Sequence, residues 1–136
     1  MKILVIDGQG GGVGRSIVAG LKAAMPHQPV LALGTNVQAT AAMLRAGADQ
    51  GATGEGAIRY QCKTADVIVG VTGILHANAM LGEITPGIAA AVSLSEATKV
   101  LVPLDRCGLL IAGVEKQPLD GLIRKAVEMV EAMAAR

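Results

Sequence analysis

At 136 residues, with 51% hydrophobic content and 18 glycines, the chain has the size of one domain, residues 1–136, and enough apolar residues for a core. Twelve Lys plus Arg against eleven Asp plus Glu leave a net charge of +1, which offers no general attraction to nucleic acid or to an anionic membrane. One tyrosine, no tryptophan and no phenylalanine make the core aliphatic and leave no stacking platform for single strands.

The first apolar run, Ile3 to Ile6, reads as a strand and is too short for a secretory core. A glycine-rich turn follows, and then a helix from about Gly12 to Met25 that carries Ile17, Val18, Leu21 and Met25 at helical spacing. Pro26 stops it. Val30 to Leu33 is the second strand, and Thr35 or Asn36 caps the next helix, which Gly47 ends. Gly51-Ala52-Thr53 is a weak third strand, followed by a short helix opening near Gly54 and Glu55. Val67 to Val71 is apolar on both faces, as buried parallel strands are. A long connection, residues 72–83, leads to Thr85-Pro86, a cap followed by proline at the first helical position. Val100 to Leu104 is the fifth strand and Leu109 to Gly113 the sixth. The connection between these two is too short for a parallel crossover, so they form an antiparallel pair. Gln117-Pro118 opens the last helix, whose apolar stripe includes Leu122, Ile123, Ala126, Val127 and Val130.

Strands alternating with helices predict a three-layer α/β/α, Rossmann-like, doubly wound sheet. The expected order is 3-2-1-4-5-6, mostly parallel with the last strand reversed. No run approaches the roughly 20 apolar residues of a membrane span. Cys62 and Cys107 lack the paired spacing of a metal site, so no metal is expected. The expectation is a reduced, soluble, cytoplasmic protein.

Ligands of such sheets bind at the carboxyl edge, beside the point where the strand order reverses. That edge begins with Asp7-Gly8-Gln9-Gly10-Gly11-Gly12-Val13-Gly14-Arg15. Glycines let the backbone turn tightly and approach a ligand, and a helix N-terminus offers free N–H donors to an anion. Neither Gly8 nor Gly10 starts a G-x-G-x-x-G fingerprint, because Val13 and Arg15 occupy the sixth positions. Gly8, Gly12 and Gly14 instead give G-x-x-x-G-x-G, and in this loop the sequence resembles the short-chain dehydrogenase/reductases. The resemblance implies that these three glycines line a cofactor pyrophosphate. It stops there, because the catalytic Tyr-x-x-x-Lys of that family is missing: Tyr60-Gln61-Cys62-Lys63 is one residue short and precedes the fourth strand. The loop also looks like a deviant P-loop, with Gly10 and Arg15 where lysines belong and with Asp66 at the wrong end of its strand to organise magnesium.

Taken whole, the chain resembles a small bacterial family of uncharacterised Rossmann-like proteins, a domain of unknown function. Ile6-Asp7-Gly8-Gln9-Gly10-Gly11-Gly12, Ala32-Leu33-Gly34-Thr35-Asn36, Gly51-Ala52-Thr53-Gly54-Glu55, Asn78 through Pro86 and Val102 through Cys107 carry that resemblance. It implies the fold and brings no activity.

The ligand expected is a nucleotide or dinucleotide, NAD or NADP first, with FAD or a mononucleotide as alternatives. Candidate binding residues are Gly8, Gln9, Gly10, Gly11, Gly12, Val13, Gly14, Arg15, Thr35, Asn36, Thr53, Thr72 and Gly73. No acid follows the second strand to hold ribose hydroxyls, which admits a 2′-phosphate, yet no basic residue lies close in sequence to grip one. His76, Asn78 and Glu83 are the catalytic candidates, His76 because an imidazole exchanges protons near neutral pH. Asp105, Arg106 and Cys107 reach the same rim, as an ion pair at a hairpin turn or as an anion grip. Three readings stay open: an oxidoreductase-like enzyme, a non-enzymatic nucleotide sensor or assembly subunit, and a divergent P-loop triphosphatase. A homodimer is expected, since symmetric dimers are the commonest oligomers.

Overall fold

The computed structural model describes residues 1–104 and 108–136. In chain order the elements are β1 (Ile3–Asp7), α1 (Gly12–Ala24), β2 (Val30–Gly34), α2 (Val37–Arg45), β3 (Gln50–Thr53), α3 (Glu55–Cys62), β4 (Val67–Val71), a single 3-10 turn (Thr72–Leu75), α4 (Pro86–Leu94), β5 (Thr98–Val102) and α5 (Leu119–Ala134). Among the described residues, five strands lie in the order β3-β2-β1-β4-β5, and every neighbouring pair is parallel. Helices α1 and α2 pack side by side with α5 against α1, while α3 and α4 pack on one another. This is the three-layer, doubly wound arrangement in which the chain first winds outward through β2 and β3, then returns past β1 to build β4 and β5.

The layers follow from the apolar pattern. Every residue of β1 and of β4 is buried, because both faces of the central strands are covered by helices. Leu4, Ile6 and Ile68 meet Ile17, Leu21, Leu33 and Ile88 in one continuous core, all of them 2% exposed or less. Each such side chain contributes about 1.5–3 kcal/mol through removal from water. Asn36 caps α2 by accepting the Ala39 N–H at 2.8 Å, and Thr85 caps α4 by accepting the Ile88 N–H at 3.1 Å, with Pro86 in the first turn.

The register places the strand ends along one rim. Asp7 pairs with Gly34, Gly34 with Thr53, and Val71 with Val102. The sheet reverses its winding between β1 and β4, so the rim above these two strands is the switch-point crevice.

Two expectations need correction. The fifth strand is Thr98–Val102, earlier than the run Val100 to Leu104. The sixth, antiparallel strand does not form: among the described residues, β5 pairs only with β4 and residues 109–113 are irregular. Gly108 and Gly113 bracket this run in left-handed conformations, with φ of +70° and +85°, and a turn bond joins the Val114 N–H to the Ile111 carbonyl at 3.2 Å. Leu110 is left 85% exposed. An apolar run is a strand only where an edge receives its backbone, and here the chain turns away toward α5. The expectations for Asp105, Arg106 and Cys107 lie outside the described residues. Among the described residues, no helix is long and apolar enough to cross a membrane and no group of three or more His, Cys, Asp or Glu side chains is placed to hold a metal.

Candidate functional site

The site starts from Asp7, the last residue of β1, which is 6% exposed. Its two carboxylate oxygens accept the Gly8 N–H at 2.8 Å and the Gly14 N–H at 2.7 Å. One side chain thus pins both ends of the glycine loop. Burial pushes the Asp7 carboxyl above the usual carboxylate range, against the pull of the two N–H groups.

Inside that clamp the Gly11 N–H bonds to the Gly8 carbonyl at 3.0 Å, closing a turn that puts Gln9 at φ +49° and Gly11 at φ +71°. Gly11 must be glycine for two reasons. Its φ is left-handed, and a Cβ there would lie 2.8 Å from the Cα of Ala39 in α2. Gly14 packs as closely from the other side, where a Cβ would lie 2.7 Å from the Asp7 Cβ. Gly10 and Gly12 are different: a Cβ at either would meet nothing within 4 Å.

The donors of the loop divide the same way. Gly8, Gln9, Gly11 and Gly14 spend their N–H groups on Asp7, Glu83 and the Gly8 carbonyl. Among the described residues, Gly10, Gly12 and Val13 have no protein acceptor for theirs. Gly12 and Val13 are the first two residues of α1, where the helix dipole is positive and the first turn holds no acidic side chain.

These three donors belong to the wall of a cavity of about 500 Å³. Residues 7–13 form one side, Val71, Gly73 and Leu104 line it from the ends of β4 and β5, and Ala79, Met80 and Leu81 close the other. The closing segment is strained. Asn78, Met80 and Leu81 all have φ between +55° and +67°, and Gly82 has φ +93°. Bonds from the Asn78 N–H to the Ile84 carbonyl at 2.6 Å and from the Ile84 N–H to the Ala79 carbonyl at 3.1 Å hold it in that shape.

Glu83 ends this segment and reaches across to the tip of β2. Its Oε1 accepts the Thr35 hydroxyl at 2.6 Å, the Asn36 side-chain amide at 2.8 Å and the Gln9 N–H at 2.9 Å. The Thr35 hydroxyl first, and then the Gln9 N–H, hold the Glu83 carboxyl below the usual carboxylate range. The Asn36 amide also donates to the Gln9 carbonyl at 2.9 Å, so loop, strand tip and closing segment form one hydrogen-bonded unit.

Of the binding candidates, the structure brings Gly8, Gln9, Gly10, Gly11, Gly12, Val13 and Gly73 to the cavity wall. Gly14 lies behind the loop, and Arg15 is exposed and outside the lining. Thr35 and Asn36 bind Glu83 instead of lining the cavity. The Thr53 hydroxyl pairs with that of Thr40 at 2.7 Å, and the Thr72 hydroxyl bonds the Leu104 backbone at 3.2 Å. His76 and Asn78 are exposed and outside the lining. Asp66 accepts the Lys2 N–H at 2.6 Å at the start of β4, on the edge away from the glycine loop. Sequence reasoning missed Val71, Ala79, Met80, Leu81 and Leu104, apolar residues that carry no chemical signature until the fold aligns them.

One comparison with known proteins matches this chain: the model of the family described as Domain of unknown function (DUF3842) covers residues 2–135. The chain belongs to that family. Comparison with curated proteins and with solved structures returned no match. The family therefore fixes kinship over nearly the whole length, and the site's chemistry has to be read from its own atoms.

Proposed function

We propose that this protein binds a phosphate-bearing nucleotide of the NAD(P) type, with its phosphates on the Gly8–Val13 turn and its body over the cavity between that turn and Met80. The observation that carries the reading is the set of three N–H groups, on Gly10, Gly12 and Val13, that have no protein acceptor among the described residues and border a cavity of about 500 Å³. Backbone donors at a helix N-terminus suit an anion, and the largely apolar opposite wall suits a ring.

Binding without turnover, as in a sensor or assembly subunit, is the second reading. The described lining holds one ionisable side chain, Asp7, and both its oxygens are already engaged by loop N–H groups. A group so engaged is a poor proton carrier, which favours recognition over acid–base chemistry.

A thermal-shift panel of NAD, NADP, FAD, ATP and GTP at millimolar concentration, with and without magnesium, tests both readings. A ligand at 100 times its Kd stabilises the folded state by about 2.7 kcal/mol, a shift of several degrees. Gly12→Leu projects into open space, so the variant keeps its fold and loses the shift. No shift with any nucleotide, or an equal shift in Gly12→Leu, refutes the proposal. A shift with ATP and magnesium alone restores the P-loop reading, and a reductase screen with the stabilising ligand then separates enzyme from sensor.

A further inference from the structure

The tip of β2 carries a second donor cluster, and the chain fills it with its own anion. The Gln9 N–H, the Thr35 hydroxyl and the Asn36 amide all converge on Oε1 of Glu83, at 2.9, 2.6 and 2.8 Å. Three convergent donors of this kind would otherwise suit a phosphate monoester. Oε1 also lies 3.1 Å from where a Cβ on Gly8 would be, so the carboxylate sits directly beside the start of the glycine turn. In a doubly wound sheet the ribose nearest the pyrophosphate rests at this place, between the first glycine and the tip of the second strand. No acidic residue lies at the strand tip itself, where Gly34, Thr35 and Asn36 follow one another. The acid arrives instead from a segment 47 residues beyond Asn36.

We propose that Glu83 makes the site select dinucleotides whose adenosine ribose has a free 2′-hydroxyl over those that carry a 2′-phosphate. Two effects act together. The donors that a 2′-phosphate would need are already engaged by Oε1, and a carboxylate at that spot repels the phosphate charge. Among the described residues Oε2 of Glu83 has no partner, so it remains available to accept a ribose hydroxyl. Hydrogen bonds from Thr35 and Gln9 hold the group below the usual carboxylate range, which keeps it charged at neutral pH. The inference rests on the dinucleotide reading above and adds the ribose chemistry to it.

Calorimetric titration of the wild-type chain and of Glu83→Gln with NAD and with NADP tests it. The wild type is expected to bind NAD at least about tenfold tighter than NADP, a difference of about 1.4 kcal/mol. Glutamine keeps an acceptor for Thr35 and Gln9 but removes the charge, so Glu83→Gln should bring the two affinities to within about threefold by raising NADP affinity. Equal wild-type affinities, tighter NADP binding, or an unchanged preference in a folded Glu83→Gln variant would overturn the inference and leave the dinucleotide reading standing. Absence of binding by either dinucleotide to the wild type would remove that reading and this inference together. Equal or reversed wild-type affinities overturn it even if the variant unfolds.

Discussion

Two glycines in the first turn of α1 should respond in opposite directions to the same substitution. A methyl group on Gly14 would lie 2.7 Å from the Asp7 Cβ, 2.8 Å from the Met43 sulfur and 2.9 Å from an Asp7 oxygen, well inside the 3.4 Å at which ordinary contact begins. Met43 can swing aside. Asp7 cannot, because its oxygens are held at 2.8 and 2.7 Å by Gly8 and Gly14. Overpacking of this kind costs about 1–3 kcal/mol, and alanine's better helix propensity returns up to about 1 kcal/mol. Gly14→Ala should therefore be destabilised by about 1–2 kcal/mol. At Gly12 the methyl meets nothing within 4 Å and the backbone is right-handed. Gly12→Ala should then gain about 0.4–1 kcal/mol, chiefly by restricting the unfolded chain. Urea unfolding of the three proteins, followed by far-UV circular dichroism, gives the differences directly, provided the m-values agree. A Gly14→Ala variant as stable as the wild type, or two shifts of the same sign, would refute the packing of the loop against Asp7.

Asp49 and Glu83 contribute to the acid limb of stability, since their carboxyls sit below their ordinary values of 3.8 and 4.5, chiefly through hydrogen bonds from the Lys22 and Thr35 side chains respectively. A depressed folded-state pKa contributes stability that is complete above the unfolded value and lost as pH falls through the folded one. The advantage of the wild type over Glu83→Gln and over Asp49→Asn should thus be level near neutrality and shrink below about pH 4.5 and about pH 3.8 respectively; a gap that stays constant down to pH 3 would contradict it. Asp7 works in the opposite sense, since its carboxyl is raised by burial, and acidification relieves a cost there. Cys62 is 2% exposed, and burial pushes its thiol up to about 11. Peptide mapping after iodoacetamide treatment at pH 8 should find Cys62 unmodified in the folded protein and modified in urea, and equal labelling in both would be incompatible with the described burial.

Local pattern was enough for the parts of the fold that local physics decides. The apolar runs Ile3–Ile6 and Val67–Val71, a cap at Thr35 or Asn36 (Asn36 in the structure), the Thr85 cap and the glycine after α2 each act over a few residues, and the structure has each of these elements there. Strand order followed from alternation and crossover rules. The run Leu109 to Gly113 was misleading because apolar character says nothing about whether a sheet edge is free to receive it, and the left-handed Gly108 before it and Gly113 at its end turn the chain. At the site, the turn between Gly8 and Gly14 was legible, but the division of labour within it was not. Which glycines are packed and which are open depends on Ala39, Met43 and Asp7, contacts between elements that spacing does not encode. Glu83 is the clearest case. The tip of β2 reads as lacking an acid, and the acid comes from across the crevice through a contact that exists only once β4 lies beside β1.

The double grip of Asp7 on the loop bears on timing as well as on shape. The glycine turn is shaped around a carboxylate that belongs to the protein, so the entropy of ordering residues 8–14 is lost on folding and not when a ligand arrives. An anion bound as proposed would meet donors on Gly10, Gly12 and Val13 that are already aligned. On the proposed reading, association is expected to be a one-step encounter whose rate is set by diffusion and charge, with no slow closing phase.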